Sequence, residues 1–264
     1  MIVENVTGAA GSIGAGRVAR AAPDGYSLIL GNWTTHVVNP VVYSLPYDAV
    51  NDFEPIALVL SQPVLIVARQ SMPAGNLKEL IAWLKANPDK ASAGNAGAGS
   101  ATHVASIFFQ RETGTRFQLV PYRGGAPAMQ DLLAGQIDMM FDLAANTLPQ
   151  MRAGTIKPYA VMAKSRVDAM PEIPTVDEAS VPGIYVAVWN GLWAPKGTPK
   201  SIIDRLNAAV VEALADPVVR QRLTDLGQEI PPRDQQTPQA LAAYHKAEIA
   251  KWWPILKAAG IKRE

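Results

Sequence analysis

The chain has 264 residues, of which 48% are hydrophobic and 18% charged, with a mean hydropathy of +0.05 and a formal net charge of +1. That balance excludes a disordered polyelectrolyte, and the even spread of charge excludes the basic stripe of a nucleic-acid surface. With no cysteine there is neither a disulfide frame nor a thiolate metal site, and no apolar run approaches the roughly 18 residues of a spanning helix.

In chain order, residues 2–4 read as a short strand, 14–21 as a helix, and 27–31, 55–60 and 64–69 as strands. In 76–87, Leu77, Leu80, Ile81 and Leu84 recur at i, i+3, i+4 and i+7, which predicts an amphipathic helix that Pro88 stops. Residues 93–100 are glycine-rich and run into a helix over 102–112. A strand at 117–121, a helix at 126–134, a strand at 137–141 and a helix at 147–153 follow. Strands at 156–162 and 185–193 frame a proline-dense loop, and helices are expected at 201–215, 217–226 and 238–259. Such alternation predicts an α/β protein with a mostly parallel sheet, built as one large or two modest domains.

Gly8-Ala9-Ala10-Gly11-Ser12-Ile13-Gly14 has the spacing of a dinucleotide fingerprint. The test fails downstream. The next strand ends in Gly31-Asn32-Trp33-Thr34-Thr35 without the carboxylate that holds a ribose, and none of the seven tyrosines is followed four residues later by lysine. A tight glycine turn opening a helix is the expectation, with no cofactor. His36, His103 and His245 show no metal-ligand spacing and read as surface or capping residues. No Gly-x-Ser-x-Gly elbow or paired carboxylates offer a catalytic nucleus, so no enzyme is expected.

Two glycine-rich turns carry more information. Gly94-Asn95-Ala96-Gly97-Ala98-Gly99-Ser100-Ala101-Thr102-His103 and Pro121-Tyr122-Arg123-Gly124-Gly125-Ala126-Pro127 each lead into a helix. Unpaired N–H groups and the positive end of a helix dipole make such a turn approachable by an anion.

The series Val3-Glu4-Asn5, residues 8–14, Ala22-Pro23-Asp24-Gly25-Tyr26, Asn39-Pro40, residues 120–128, Asp131-Leu132-Leu133-Ala134-Gly135-Gln136-Ile137-Asp138, Pro174-Thr175-Val176-Asp177-Glu178-Ala179, Trp189 and Ala194-Pro195-Lys196-Gly197-Thr198-Pro199 resembles the tripartite tricarboxylate transporter receptors, the Bug family, along essentially the whole chain. The resemblance implies a two-lobed type II periplasmic-binding fold with a ligand cleft between the lobes. Lobe one is expected at 1–68 plus 191–264 and lobe two at 69–190, with residues 64–68 and 188–194 as hinges. It further implies a periplasmic receptor for a small di-, tri- or aromatic carboxylate, serving membrane transporter subunits or a sensor, and expected to be a monomer.

In this family the carboxylate is held by backbone amides and water. Carried over, that role falls to Gly99, Ser100, Ala101 and Thr102 and to Gly124, Gly125 and Ala126, with Asp142 past its strand meeting an amine, a hydroxyl or a bridging water. Residues 33–36 are expected to face the cleft with Thr35 in contact, and Arg123 to be a lobe-closure or surface residue rather than a carboxylate partner. Trp33, His36 and Phe141 could line a pocket for an aromatic acid or belong to the core. The N-terminus lacks the signal peptide, first strand and Pro-Gly loop of the family, so a natural start upstream of Met1 is expected. Rival readings are a cytoplasmic sensor or effector domain of the same fold and a nucleotide-dependent oxidoreductase.

Overall fold

The computed structural model describes residues 2–6 and 8–260, and the expectation made of Met1 falls outside them. In chain order the elements are a 3-10 turn (Ala9–Gly11), α1 (Ser12–Ala19), β1 (Ile29–Asn32), a π-helical turn (Thr34–Val38), α2 (Asn39–Val42), β2 (Phe53–Arg69), α3 (Leu77–Ala86), β3 (Ser92–Asn95), α4 (Ala101–Thr113), β4 (Gln118–Pro121), α5 (Gly125–Leu133), β5 (Met139–Leu143), α6 (Ala144–Arg152), β6 (Ile156–Val161), β7 (Ala187–Pro195), α7 (Lys200–Ala215), α8 (Pro217–Asp225), a 3-10 turn (Arg233–Gln235) and α9 (Pro238–Ala258).

The chain divides into two compact units. Unit 1 comprises Met1–Ser61, Val188–Leu223 and Ile230–Glu264, and unit 2 comprises Gln62–Ala187 and Thr224–Glu229. In unit 1, β1 lies antiparallel to β7, which neighbours the first part of β2. Its core is aromatic: Trp33 meets Trp252 edge-on at 5.2 Å, and His36 stacks on Trp193 at 4.6 Å.

Unit 2 orders its strands β6-β2-β5-β3-β4. Strands β3, β4 and β5 run parallel, joined by the crossovers α4 and α5, and β2 is antiparallel to both β5 and β6. The mostly parallel sheet expected from the sequence is therefore a mixed one. Alternation of strands and helices reports only the local crossovers, and β2 enters between β5 and β6 in the opposite sense. Leu65, Val67, Leu132, Met140, Leu148 and Ile156 form the heart of this unit's core.

Two further expectations are corrected and a third is sharpened. Residues 2–4 form no strand: Ile2 and Val3 are exposed and no ladder holds them. The strands at 55–60 and 64–69 are one strand, because Pro63 falls just before the ladder with β5 begins at Val64, where no backbone donor is needed. Residues 93–95 belong to β3, so the glycine-rich turn begins only after Asn95. Glycine is a poor strand former, but a Cβ on Gly94 would lie 2.5 Å from Ile137 Cδ1 and 3.3 Å from Ala128, so close packing demands it there. The α3 helix forms as predicted, with Asn76 accepting the Glu79 N–H at 2.9 Å and Leu77, Leu80 and Leu84 buried.

Candidate functional site

Because β3, β4 and β5 run in one direction, their carboxyl ends open on one edge of unit 2. There the helices α4, α5 and α6 begin. The β3 end is firmly organised. Asn95, fully buried, accepts the Gly97 N–H on Oδ1 at 3.0 Å and the Tyr122 N–H on its carbonyl at 3.0 Å, while its own Nδ2 has no partner.

Among the residues expected to face a carboxylate here, several are already committed. The Gly99 N–H donates to His103 Nδ1 at 3.2 Å, and the Ser100 hydroxyl caps α4 by accepting the His103 N–H at 3.2 Å. Thr102 Oγ1 accepts the Ala96 N–H at 2.9 Å, and Ala101 is buried beside it. This turn is a preformed scaffold held by its own hydrogen bonds.

The β4 end is different. Gly124, at φ 121° and ψ 173°, holds a backbone conformation open only to glycine, and it brings no side chain to cap α5. Gly124 and Gly125 are half-buried, and Ala126 and Arg123 are exposed. A Cβ on Gly125 would sit 2.3 Å from Asn146 Nδ2 and 3.0 and 3.1 Å from the two Asp142 oxygens. An amide and a carboxylate therefore converge on the first residue of α5.

Asp142 lies within β5, not past it, and is 3% exposed. Its Oδ1 accepts the Leu143 N–H at 2.8 Å and lies 3.4 Å from the Asn146 amide; Oδ2 has no partner. Burial pushes its carboxyl up to about 6, against the opposing pull of the Leu143 and Asn146 hydrogen bonds. Such a buried, half-satisfied acid beside a helix N-terminus is what a ligand site needs and what a packed core avoids.

Sequence reasoning missed Asn146, Asn95 and Tyr122. A signal for the first was available: Asn146 stands four residues after Asp142, one turn into the helix that β5 feeds.

In unit 1, Thr35, 6% exposed, accepts the Asn32 N–H at 2.9 Å and touches His36 Nδ1 at 2.9 Å. Residues 33–36 are not an open loop but the entry to the π-helical turn, with Trp33 and His36 fully buried. Nor are the histidines surface or capping groups throughout. His36 and His245 pack at 5.7 Å, and His245 Nε2 contacts the His36 carbonyl at 2.9 Å. Burial, then the charge of His245, drives His36 down to about 3. Phe141 packs on Phe109 and Phe117 in unit 2, so of the two readings left open, Trp33, His36 and Phe141 are core. The glycine turn of residues 8–14 is structural: Ala9 and Ala10 take positive φ, and Asn39 Nδ2 donates to Ala10 O at 3.0 Å and Ser12 Oγ at 2.8 Å.

Comparison with known proteins gives this geometry its context. The profile described as "Tripartite tricarboxylate transporter family receptor" matches residues 1–261. A UPF0065 protein from the ttuE–ttuC′ intergenic region of Agrobacterium vitis is 37% identical over 260 residues, 98% of this chain and 75% of that one. Among solved structures, the periplasmic binding protein BugD is 42% identical, with a TM-score of 0.84 over 99% of this chain and 88% of its own. MatC from Rhodopseudomonas palustris, solved with bound malate, is 39% identical at a TM-score of 0.81, covering 94% of this chain and 85% of its own. An R. palustris protein solved with adipate is 32% identical at 0.87, covering 99% and 87%. The α/β periplasmic-binding fold expected from the sequence is the fold of these proteins, and the chain belongs to the receptor family of the tripartite tricarboxylate transporters.

Proposed function

We propose that this chain is a periplasmic solute receptor that captures a small carboxylate and passes it unaltered to the membrane subunits of a tripartite tricarboxylate-type transporter. The observation that carries the reading is the N-terminus of α5. It has no side-chain cap at Gly124, and the unpartnered Oδ2 of buried Asp142 lies against Gly125. The first-turn N–H groups and the helix dipole suit a carboxylate, and Asp142 suits a donor on the same ligand.

In this proposal Gly124, Gly125 and Ala126 supply the amides. The turn bearing Gly99, Ser100, Ala101 and Thr102 shapes the facing wall, its hydrogen bonds spent on rigidity. Malate in MatC and adipate in the second relative support a carboxylate ligand. BugD, a periplasmic protein, supports the compartment, and among the described residues no helix is long and apolar enough to cross a membrane. Among those residues, too, no three His, Asp or Glu side chains are grouped to hold a metal ion.

Thermal denaturation against a panel of mono-, di- and tricarboxylates, amines and sugars tests the reading. A ligand at 100 times its dissociation constant adds about 2.7 kcal/mol of stability. At least one carboxylate should raise the melting temperature accordingly. Stabilisation by amines or sugars alone would overturn the proposal.

A further inference from the structure

We infer that the pair Asp142 and Asn146 makes this receptor selective for 2-hydroxy carboxylates over their 2-amino and unsubstituted counterparts. The inference rests on the carboxylate reading and sharpens it. It starts from Asn146, whose Nδ2 stands 2.3 Å from the Cβ direction of Gly125, with the Asp142 oxygens 3.0 and 3.1 Å from the same point. The residue over α5's first N–H groups is thus flanked by one donor and one acceptor.

The orientation of the Asn146 amide follows from its neighbour. Asp142 Oδ1, 3.4 Å away, can only accept, so Nδ2 rather than Oδ1 faces it. Nδ2 carries two hydrogens, and the second is left for another acceptor. Asp142 has spent Oδ1 on the Leu143 N–H at 2.8 Å and keeps Oδ2 bare. At neutral pH the carboxyl, held near 6 by burial, is still ionised and accepts only.

A ligand whose carboxylate sits on the α5 N-terminus presents its C2 substituent to this pair. A hydroxyl answers both partners, donating to Asp142 Oδ2 and accepting from Asn146. An ammonium satisfies Asp142 but has no lone pair for Asn146 and sets its hydrogens against that amide. A methylene leaves both unsatisfied in a site where burial makes that costly.

The test is calorimetric titration of the protein at pH 7.5 with L-malate, succinate and L-aspartate, three four-carbon diacids that differ only at C2. Malate should bind at least roughly 10-fold more tightly than either of the others. Asn146→Ala should bring the malate-to-succinate ratio toward one, and Asn146→Asp should move the preference toward aspartate by offering a second acceptor. Succinate binding as tightly as malate to the wild-type chain, or aspartate binding more tightly, overturns the inference and leaves the carboxylate reading standing. Should none of these diacids, nor any other carboxylate tried beside them, bind at all, both fall together. The wild-type comparison decides the matter even if a variant does not fold.

Discussion

Tyr122 donates its hydroxyl to Asp131 at 2.7 Å, which pins the end of β4 to the second turn of α5. The same residue's N–H bonds the Asn95 carbonyl at 3.0 Å, and its own carbonyl lies 3.1 Å from the Cβ direction of Gly97. The side chain of Tyr122 therefore ties the second glycine turn to α5, and its backbone ties that turn to the first.

Removing that hydroxyl tests the brace. Tyr122→Phe should lower unfolding free energy by about 1 kcal/mol and weaken carboxylate binding several-fold, because the α5 N-terminus loses its lateral restraint. Asp131→Asn, which keeps an acceptor, should retain most of both properties, whereas Asp131→Ala should match Tyr122→Phe. Urea denaturation and titration of the same samples give the two readouts. Equal affinity in the phenylalanine variant would leave Tyr122 a packing residue only.

Gly125 admits no side chain without displacing Asn146 and Asp142, both of them side chains that can swing away. The Gly125→Val protein should therefore fold, with ligand affinity reduced by about 1–3 kcal/mol as the amides are screened and the donor–acceptor pair is pushed apart. Circular dichroism should be near that of the wild type. A folded valine variant with undiminished affinity would remove the β4–α5 turn from the site.

Much of this fold is legible in the sequence because local chemistry decides it. Leucines at helical spacing and the Asn76 cap specify α3, and glycine-rich turns after short apolar runs mark the starts of α4 and α5. What escapes is set by distant partners. Gly94 is in a strand because Ile137 and Ala128 crowd it, and β2 runs antiparallel because of where a distant part of the chain enters the sheet. The same holds for the site. Glycines next to helix starts announce an anion-binding turn, but nothing along the chain says that the Gly99 amide is spent on His103 or that Asp142 keeps one oxygen bare. The buried rings of His36 and His245 escape likewise, since their partners Trp193 and Phe53 lie far away in sequence.

Asp142 carries a cost that pH should reveal. Its folded pKa of about 6 lies above the ordinary 3.8, so between those values the folded state keeps a proton that the unfolded chain releases. Raising pH through that window therefore reduces stability, and above it the deficit is constant, at about 3 kcal/mol for a shift of this size. Asp142→Asn removes the buried charge and keeps an acceptor for the Leu143 N–H. The variant should be more stable than wild type at pH 7.5 and no more stable at pH 4, and it should lose ligand affinity at the higher pH. Paired urea midpoints at the two pH values measure this; a uniform difference across pH would show that the carboxylate is not desolvated as described.

Unit 1 should fail first on acidification, and His36 supplies the reason. Its ring is fully buried, stacked on Trp193 at 4.6 Å and tilted against Phe53 at 5.2 Å, and its Nε2 has no partner. A proton there would be stranded in an apolar cage beside a second buried imidazole, so the folded pKa falls to about 3 from 6.5. For a depressed base the folded state resists protonation. The stability is fully present above 6.5, is lost progressively as pH falls, and stops declining only near 3. By pH 4.5 this one group should have cost about 3 kcal/mol, and His245, also lowered by burial, adds to the same slope. Tryptophan fluorescence, to which this unit contributes Trp33, Trp189, Trp193, Trp252 and Trp253, should report the acid transition, and amide exchange at pH 4.5 should be faster in β1 and β7 than in β3 and β5. His36→Phe, which keeps a ring against Trp193 and cannot take a proton, should move the acid midpoint downward. Should that variant not fold, the imidazole resonances of the wild-type protein decide: a His36 signal titrating near 6.5 in the folded protein would show that the cage is open to water and that acid unfolding has another origin.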